Sequence, residues 1–158
     1  MVQARTRMTI SIVATVLIST AVHAALFQAI AAIYDVPAQF VRLFFVVMGG
    51  SHLALLTFLL VMRGDFYILP ERTPLRRINL ANVLSVSRIS STPTVLFLLI
   101  LSRDYELATF TIVFTSLVFL TDLFDGRISR RRHQQTRIGA YLDSVSDYAI
   151  LIAVSVAF

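Results

Sequence analysis

An all-α, polytopic membrane protein with five transmembrane helices is the architecture this sequence predicts, and three observations carry the prediction. Hydrophobic residues make up 57% of the 158 and charged residues 15%, where a water-soluble domain carries about a quarter charged. The apolar residues fall into five runs long enough, or nearly so, to cross about 30 Å of hydrocarbon. The fourteen basic residues, all arginine, gather mostly between those runs, which is how membrane topology is encoded. The mean hydropathy of +0.79 agrees. Such a surplus of apolar surface needs lipid to cover it. Backbone groups in lipid must be satisfied within their own segment, so the runs are helices and not strands.

The runs extend from Met8 to about Ile33, from Leu43 to Met62, from about Val83 to Leu101, from Leu107 to about Phe124, and from Gly139 to Phe158. Arg5 and Arg7 precede the first. Arg63, Arg72, Arg76 and Arg77 lie between the second and third. Arg127, Arg130, Arg131, Arg132 and Arg137 lie between the fourth and fifth. The other two connections are poor in arginine: Arg42 shares one with Asp35, and Arg103 lies beside Asp104 and Glu106. The alternation puts the N-terminus in the cytoplasm and Phe158 near the opposite face. The basic start also resembles a signal peptide, with Val22-His23-Ala24 as a poor cleavage site, but the apolar run outlasts a signal core, so an uncleaved helix is expected. A pI near 10.4 does not point to nucleic acid, because the arginines are placed as topology determinants. There is no cysteine, which excludes disulfides and thiol chemistry.

A boundary falls in the mixed-charge stretch between Arg63 and Asn79, which contains Pro70 and Pro74. Residues 1–63 read as a two-helix membrane extension. Residues 64–78 read as a cytoplasmic linker or an interfacial helix starting at Thr73, and residues 79–158 as a second module. Gly49 and Gly50 are expected to permit close helix packing. His23 and His52, on apolar spans, are expected to be packed or hydrogen-bonded between helices and not to be ligands.

Four of the nine acidic residues fall within 26 residues: Asp122, Asp125, Asp143 and Asp147. Asp122 and Asp125 are three apart at the end of the fourth span, and Asp143 and Asp147 are four apart near the start of the fifth. Each spacing places both carboxylates on one helix face. The two helices are antiparallel across a short loop, so all four carboxylates lie at similar depth. Clustered carboxylates at an interface need positive compensation, and hard divalent cations such as Mg2+ or Mn2+ prefer oxygen donors. The bland reading is a set of ion pairs with the loop arginines. Gly126 directly follows Asp125, where it would let the backbone bend or a ligand approach closely. Gly139 lies on the Asp143–Asp147 stripe and would clear room beside the carboxylates. Arg130 could meet a phosphate through its planar fork of donors. Arg88, just inside the third span, is either functional or snorkels to the interface.

The segment Asp122-Leu-Phe-Asp125-Gly126-Arg-Ile-Ser129-Arg130, then eight residues, then Gly139-Ala-Tyr-Leu-Asp143-Ser-Val-Ser-Asp147 resembles the signature of the CDP-alcohol phosphatidyltransferases, DxxDGxxAR followed by GxxxDxxxD. Ser129 stands where that family usually has Ala. Asn79-Leu-Ala-Asn82-Val-Leu-Ser85-Val-Ser-Arg88, followed by Pro93, is similar to the family's first core helix, and Arg88 leans toward the phosphatidylglycerophosphate and cardiolipin synthase branches. The resemblance implies transfer of a phosphatidyl group from a CDP-linked donor, in first place CDP-diacylglycerol, to an alcohol, with release of CMP. It implies Mg2+ or Mn2+ held by Asp122, Asp125 and Asp143, and Asp147 as the general base. Gly126, Ser129, Arg130 and Gly139 would bind the CDP moiety, with Asn82 and Arg88 beside them. The implied partners are the lipid donor, the alcohol acceptor and membrane lipids, with a homodimer as an open assembly. The implied location is the bacterial inner membrane, with the site on the cytoplasmic side. The family core has six membrane helices and this chain supplies the first three, so the alternatives are a catalytically incomplete fragment that keeps the site or, from another class, a cation transporter.

Overall fold

The structure, a computed structural model, describes residues 2–131 and 133–157, without the side chains of Val2, Ala4, Asp122, Leu123, Asp125, Ser129 and Arg130. Five long helices follow one another: α1 (Val2–Ile33), α2 (Ala38–Val61), α3 (Leu80–Leu101), α4 (Ala108–Arg131) and α5 (Arg137–Ala157). All five are long and apolar enough to cross a membrane. With 81% of the residues helical, the chain is an all-α polytopic membrane protein. Large apolar side chains exposed along the helices, such as Leu17 and Ile18 on α1, Ile112 and Leu117 on α4, and Leu151 and Ile152 on α5, form the surface that lipid covers.

α3 is the central helix. It packs against α5, α4, α1 and α2. Its buried residues include Asn82, Ser85, Arg88, Ser90, Ser91 and Thr94, a polar content that only a helix shielded from lipid on most sides tolerates. At one end of the bundle, Phe27 of α1 stacks on Phe44 of α2 with ring centroids 3.7 Å apart, and both meet Phe97 of α3 edge-on. Leu101 and Leu107, flanking the α3–α4 connection, complete that cluster. Arg103, in the same connection, donates to the carbonyl oxygen of Ala157 at the end of α5. At the other end, Met8 and Ile12 of α1, Leu59 of α2, Phe66, and Ile138 and Leu142 of α5 form a second cluster around Val86. The polar connections between α2 and α3 and between α4 and α5 meet over this end.

Three local expectations are corrected. No interfacial helix forms from Thr73. A 3-10 turn (Met62–Asp65) leads instead into a two-stranded antiparallel ribbon of β1 (Tyr67–Ile68) and β2 (Thr73–Pro74). Prolines at 70 and 74 and the left-handed Arg72 (φ 56°) suit a tight reversal. Gly126 does not interrupt its helix: α4 runs through it to Arg131, because continuing the helix keeps the backbone hydrogen-bonded at the membrane interface. Gly49 and Gly50 do not mediate close packing. Among the described residues, a Cβ at either would meet nothing within 4 Å. The two histidines are packed as expected: His23 Nδ1 lies 3.2 Å from Thr94 Oγ1 on α3, and His52 Nδ1 2.9 Å from the Met48 carbonyl.

Candidate active site

The site begins with a cap. Asn79 precedes α3, and its Oδ1 accepts from the backbone N–H of Asn82 at 3.0 Å, satisfying one of the orphan donors of the first turn. Its Nδ2 donates to the Gln134 carbonyl at 3.0 Å. One residue thus starts α3 and ties it to the connection before α5. Thr136, the residue before α5, repeats the arrangement. Its Oγ1 accepts from Gly139 N–H at 3.0 Å and donates to Asn82 Oδ1 at 3.0 Å. The hydroxyl proton of Thr136 goes to the Asn82 oxygen, and the amide nitrogen of Asn82 faces away. That Nδ2 is buried and has no hydrogen-bond partner among the described residues.

Gly139 is required by this contact. A Cβ there would lie 2.9 Å from Thr136 Oγ1 and 3.1 Å from Asn82 Oδ1, so α5 can approach α3 this closely only without a side chain at that position. Gly139 thus makes room for the Thr136–Asn82 bond, and it also lines the cavity that Asp143 faces.

Around this contact lies an open cavity of about 260 Å³. Asn82 and Ser85 of α3, Gly126 of α4, Thr136, and Gly139 and Asp143 of α5 line it. Gly126 and Gly139, from the two halves of the signature, share this cavity although their helices meet mainly through α3. Leu69, Gln134 and Gln135 form the rest of the wall.

One turn deeper, Arg88 decides the arrangement of the acids. Its side chain is 1% exposed, which overturns snorkelling: the guanidinium turns into the bundle. Nη2 donates to Asp143 Oδ1 at 3.1 Å and lies 3.9 Å from Asp147 Oδ1. It also donates to Ser146 Oγ, which in turn donates to the Asp143 carbonyl at 2.8 Å. Arg88 thus bridges two carboxylates one helical turn apart, each of which stays exposed (56% for Asp143, 74% for Asp147). Those exposed oxygens are hard donors open to a ligand or ion. Among the described residues, no group of three or more His, Cys, Asp or Glu side chains converges to hold a metal. Asp122 and Asp125 lie on the last turns of α4, with Ser129 and Arg130 beyond them. The side chains of all four lie outside the described residues.

Sequence reasoning did not find Thr136, Ser146 or Leu69. Thr136 carries a signal, a capping-type residue three positions before a glycine at a helix start. Ser146 and Leu69 carry none, because what matters in each is a partner distant in the chain.

The model of the CDP-alcohol phosphatidyltransferase family matches residues 78–158, a segment that starts just before the Asn79 cap and contains both halves of the signature. No solved structure matches the chain.

Proposed function

The chain belongs to the CDP-alcohol phosphatidyltransferase family, a transferase family, and from that premise we propose that it moves a phosphatidyl group from CDP-diacylglycerol to an alcohol in phospholipid biosynthesis, releasing CMP. The observation that carries this reading is the meeting of Gly126, Gly139, Asn82 and Asp143 around one cavity, with Arg88 holding Asp143 and Asp147 beside it. The two motif halves, separate in sequence, flank a single space open at the end of the bundle. Such a place suits a donor whose acyl chains stay in lipid while its nucleotide reaches water.

In this reading the unpaired Asn82 Nδ2 donates to the nucleotide. Gly126 and Gly139 leave the cavity wall clear of side chains, and Ser129 and Arg130, three and four residues after Gly126, would bind the CDP moiety with them. A Mg2+ or Mn2+ ion held by Asp122, Asp125 and Asp143 would neutralise the diphosphate and stabilise the CMP leaving group. Asp147, the more exposed of the two described carboxylates, accepts the proton of the acceptor hydroxyl as oxygen attacks the β-phosphorus. Arg88 orients both carboxylates from below through one buried guanidinium. We place the site on the cytoplasmic face of the plasma membrane, on the side of the arginine-rich connections. A cation pathway is less well supported, because such sites lie near the bilayer midplane and this cavity opens beside the interhelical connections.

The test is CMP release from CDP-diacylglycerol by the purified protein at its full natural length, with glycerol phosphate, serine, inositol phosphate and phosphatidylglycerol as acceptors in turn. Glycerol phosphate or phosphatidylglycerol is expected to support release. Donor binding with no release for any acceptor would refute the transferase reading in favour of an inactive protein that keeps the site.

A further inference from the structure

The ribbon between α2 and α3 lies outside the family-matched segment, yet it forms part of the cavity wall. Ile68 pairs antiparallel with Thr136, and the backbone N–H of Leu69 donates to the Gln135 carbonyl at 2.8 Å. The ribbon is thus a short strand laid along the connection before α5. It is fastened on its outer side as well. Arg137 Nη1 donates to the Tyr67 hydroxyl at 3.1 Å, and Arg137 Nε donates to the Tyr141 hydroxyl at 3.1 Å and lies 3.7 Å from Asp65. On its inner side, Phe66 is buried against Ile138 and Leu142 of α5.

Among the described residues lining the cavity, Leu69 is the one large apolar side chain, and it is 43% exposed at the cavity edge. Its neighbours there are amides, hydroxyls and small residues. Leu69 lies by Gln135 and Thr136; Thr136 directly precedes α5 and stands seven residues before Asp143, a rise of about 10 Å at 1.5 Å per residue. A nucleoside diphosphate is long enough to span that separation, and with its charged end toward the carboxylates its planar, uncharged end would reach Leu69. We propose that the ribbon Tyr67–Pro74, in the connection between α2 and α3, is a wall of the donor site, and that Leu69 is a specificity-determining residue whose side chain covers the face of the donor's nucleobase. The proposal rests on the donor-site reading above, and it gives this connection a role in the reaction.

The experiment is calorimetric titration of the full chain in lipid nanodiscs, in Mn2+, with CMP and with inorganic pyrophosphate. Leu69→Ala weakens CMP about fivefold through lost apolar contact and leaves pyrophosphate unchanged. Leu69→Met, which restores the apolar face, keeps CMP within about twofold of the wild type. Leu69→Ala binding CMP as the wild type does, or losing CMP and pyrophosphate in equal proportion, overturns the base-facing role. Failure of Leu69→Met to retain CMP overturns it as well. A wild-type chain that does not take up CMP overturns the donor-site reading itself, and this proposal with it. Wild-type uptake of CMP beside an indifferent Leu69→Ala removes only the ribbon's part.

Discussion

Replacing Gly139 with Ala tests the contact on which the cavity is built. The new Cβ would lie 2.9 Å from Thr136 Oγ1 and 3.1 Å from Asn82 Oδ1. Neither atom is a free end that can swing away. Thr136 and Asn82 are both buried and are bonded to each other at 3.0 Å. Overpacking of this kind costs about 1–3 kcal/mol, and weakening the cap and the Thr136–Asn82 bond adds about 1 kcal/mol. Alanine's better helix propensity returns about 1 kcal/mol. The net is a loss of about 2 kcal/mol, or a fall of about 4–8 °C in melting temperature for a chain of this size. Thermal denaturation in one fixed detergent measures it. Because the closest atom is the Thr136 hydroxyl, Thr136→Ala should make room for the new methyl. The double variant should then lose about 1 kcal/mol less than the two single losses together. Gly49→Ala and Gly50→Ala, where a Cβ meets nothing within 4 Å, should melt no lower than the wild type. A Gly139→Ala protein melting with the wild type, or losses at Gly139 and Thr136 that simply add, would refute the geometry.

Further outcomes follow from single residues. Asp147→Asn should abolish CMP release while largely sparing donor binding, whereas Asp143→Asn should weaken Mn2+ and donor binding together; calorimetry beside the release assay separates the two, and equal loss of donor binding would make Asp147 a ligand. Arg88→Gln should lower release in the same assay, because an amide lacks the charge that one guanidinium nitrogen, Nη2, brings to Asp143 and Asp147 beside Ser146. Phe44→Ala removes the ring stacked at 3.7 Å on Phe27 and should cost about 3–5 kcal/mol in the same melting experiment. The chain has no cysteine, so single cysteines at Gln135 and Asp104 report topology directly: in intact cells only the second should label from outside.

The fold was legible in the sequence because lipid leaves the backbone few choices. A run of apolar residues with no water to bond must be helical. Boundaries were harder to read: α2 starts at Ala38, ahead of its apolar run, and α4 outlasts its run, ending at Arg131, since charged residues continue a helix once it leaves the hydrocarbon. Residue types at the site were equally readable, because carboxylates on one helix face and a glycine between helices are local patterns.

Partnership was not readable. Arg88 and Asp143 are 55 positions apart, as are Asn79 and Gln134, and no local pattern reveals that one buried guanidinium serves two carboxylates on another helix. Gly139 and Gly49 look alike as letters; a Cβ at the first would lie 2.9 Å from Thr136 Oγ1, and a Cβ at the second would meet nothing within 4 Å among the described residues. Leu69 reads as a linker residue until Ile68 pairs with Thr136 and carries it to the cavity edge. The sequence alone determined that this chain crosses the membrane as helices and which chemical groups it brings to one end. The tertiary structure decided which of those groups meet, because close approach and burial depend on how separate helices pack, and hydrophobic pattern and spacing leave that packing open.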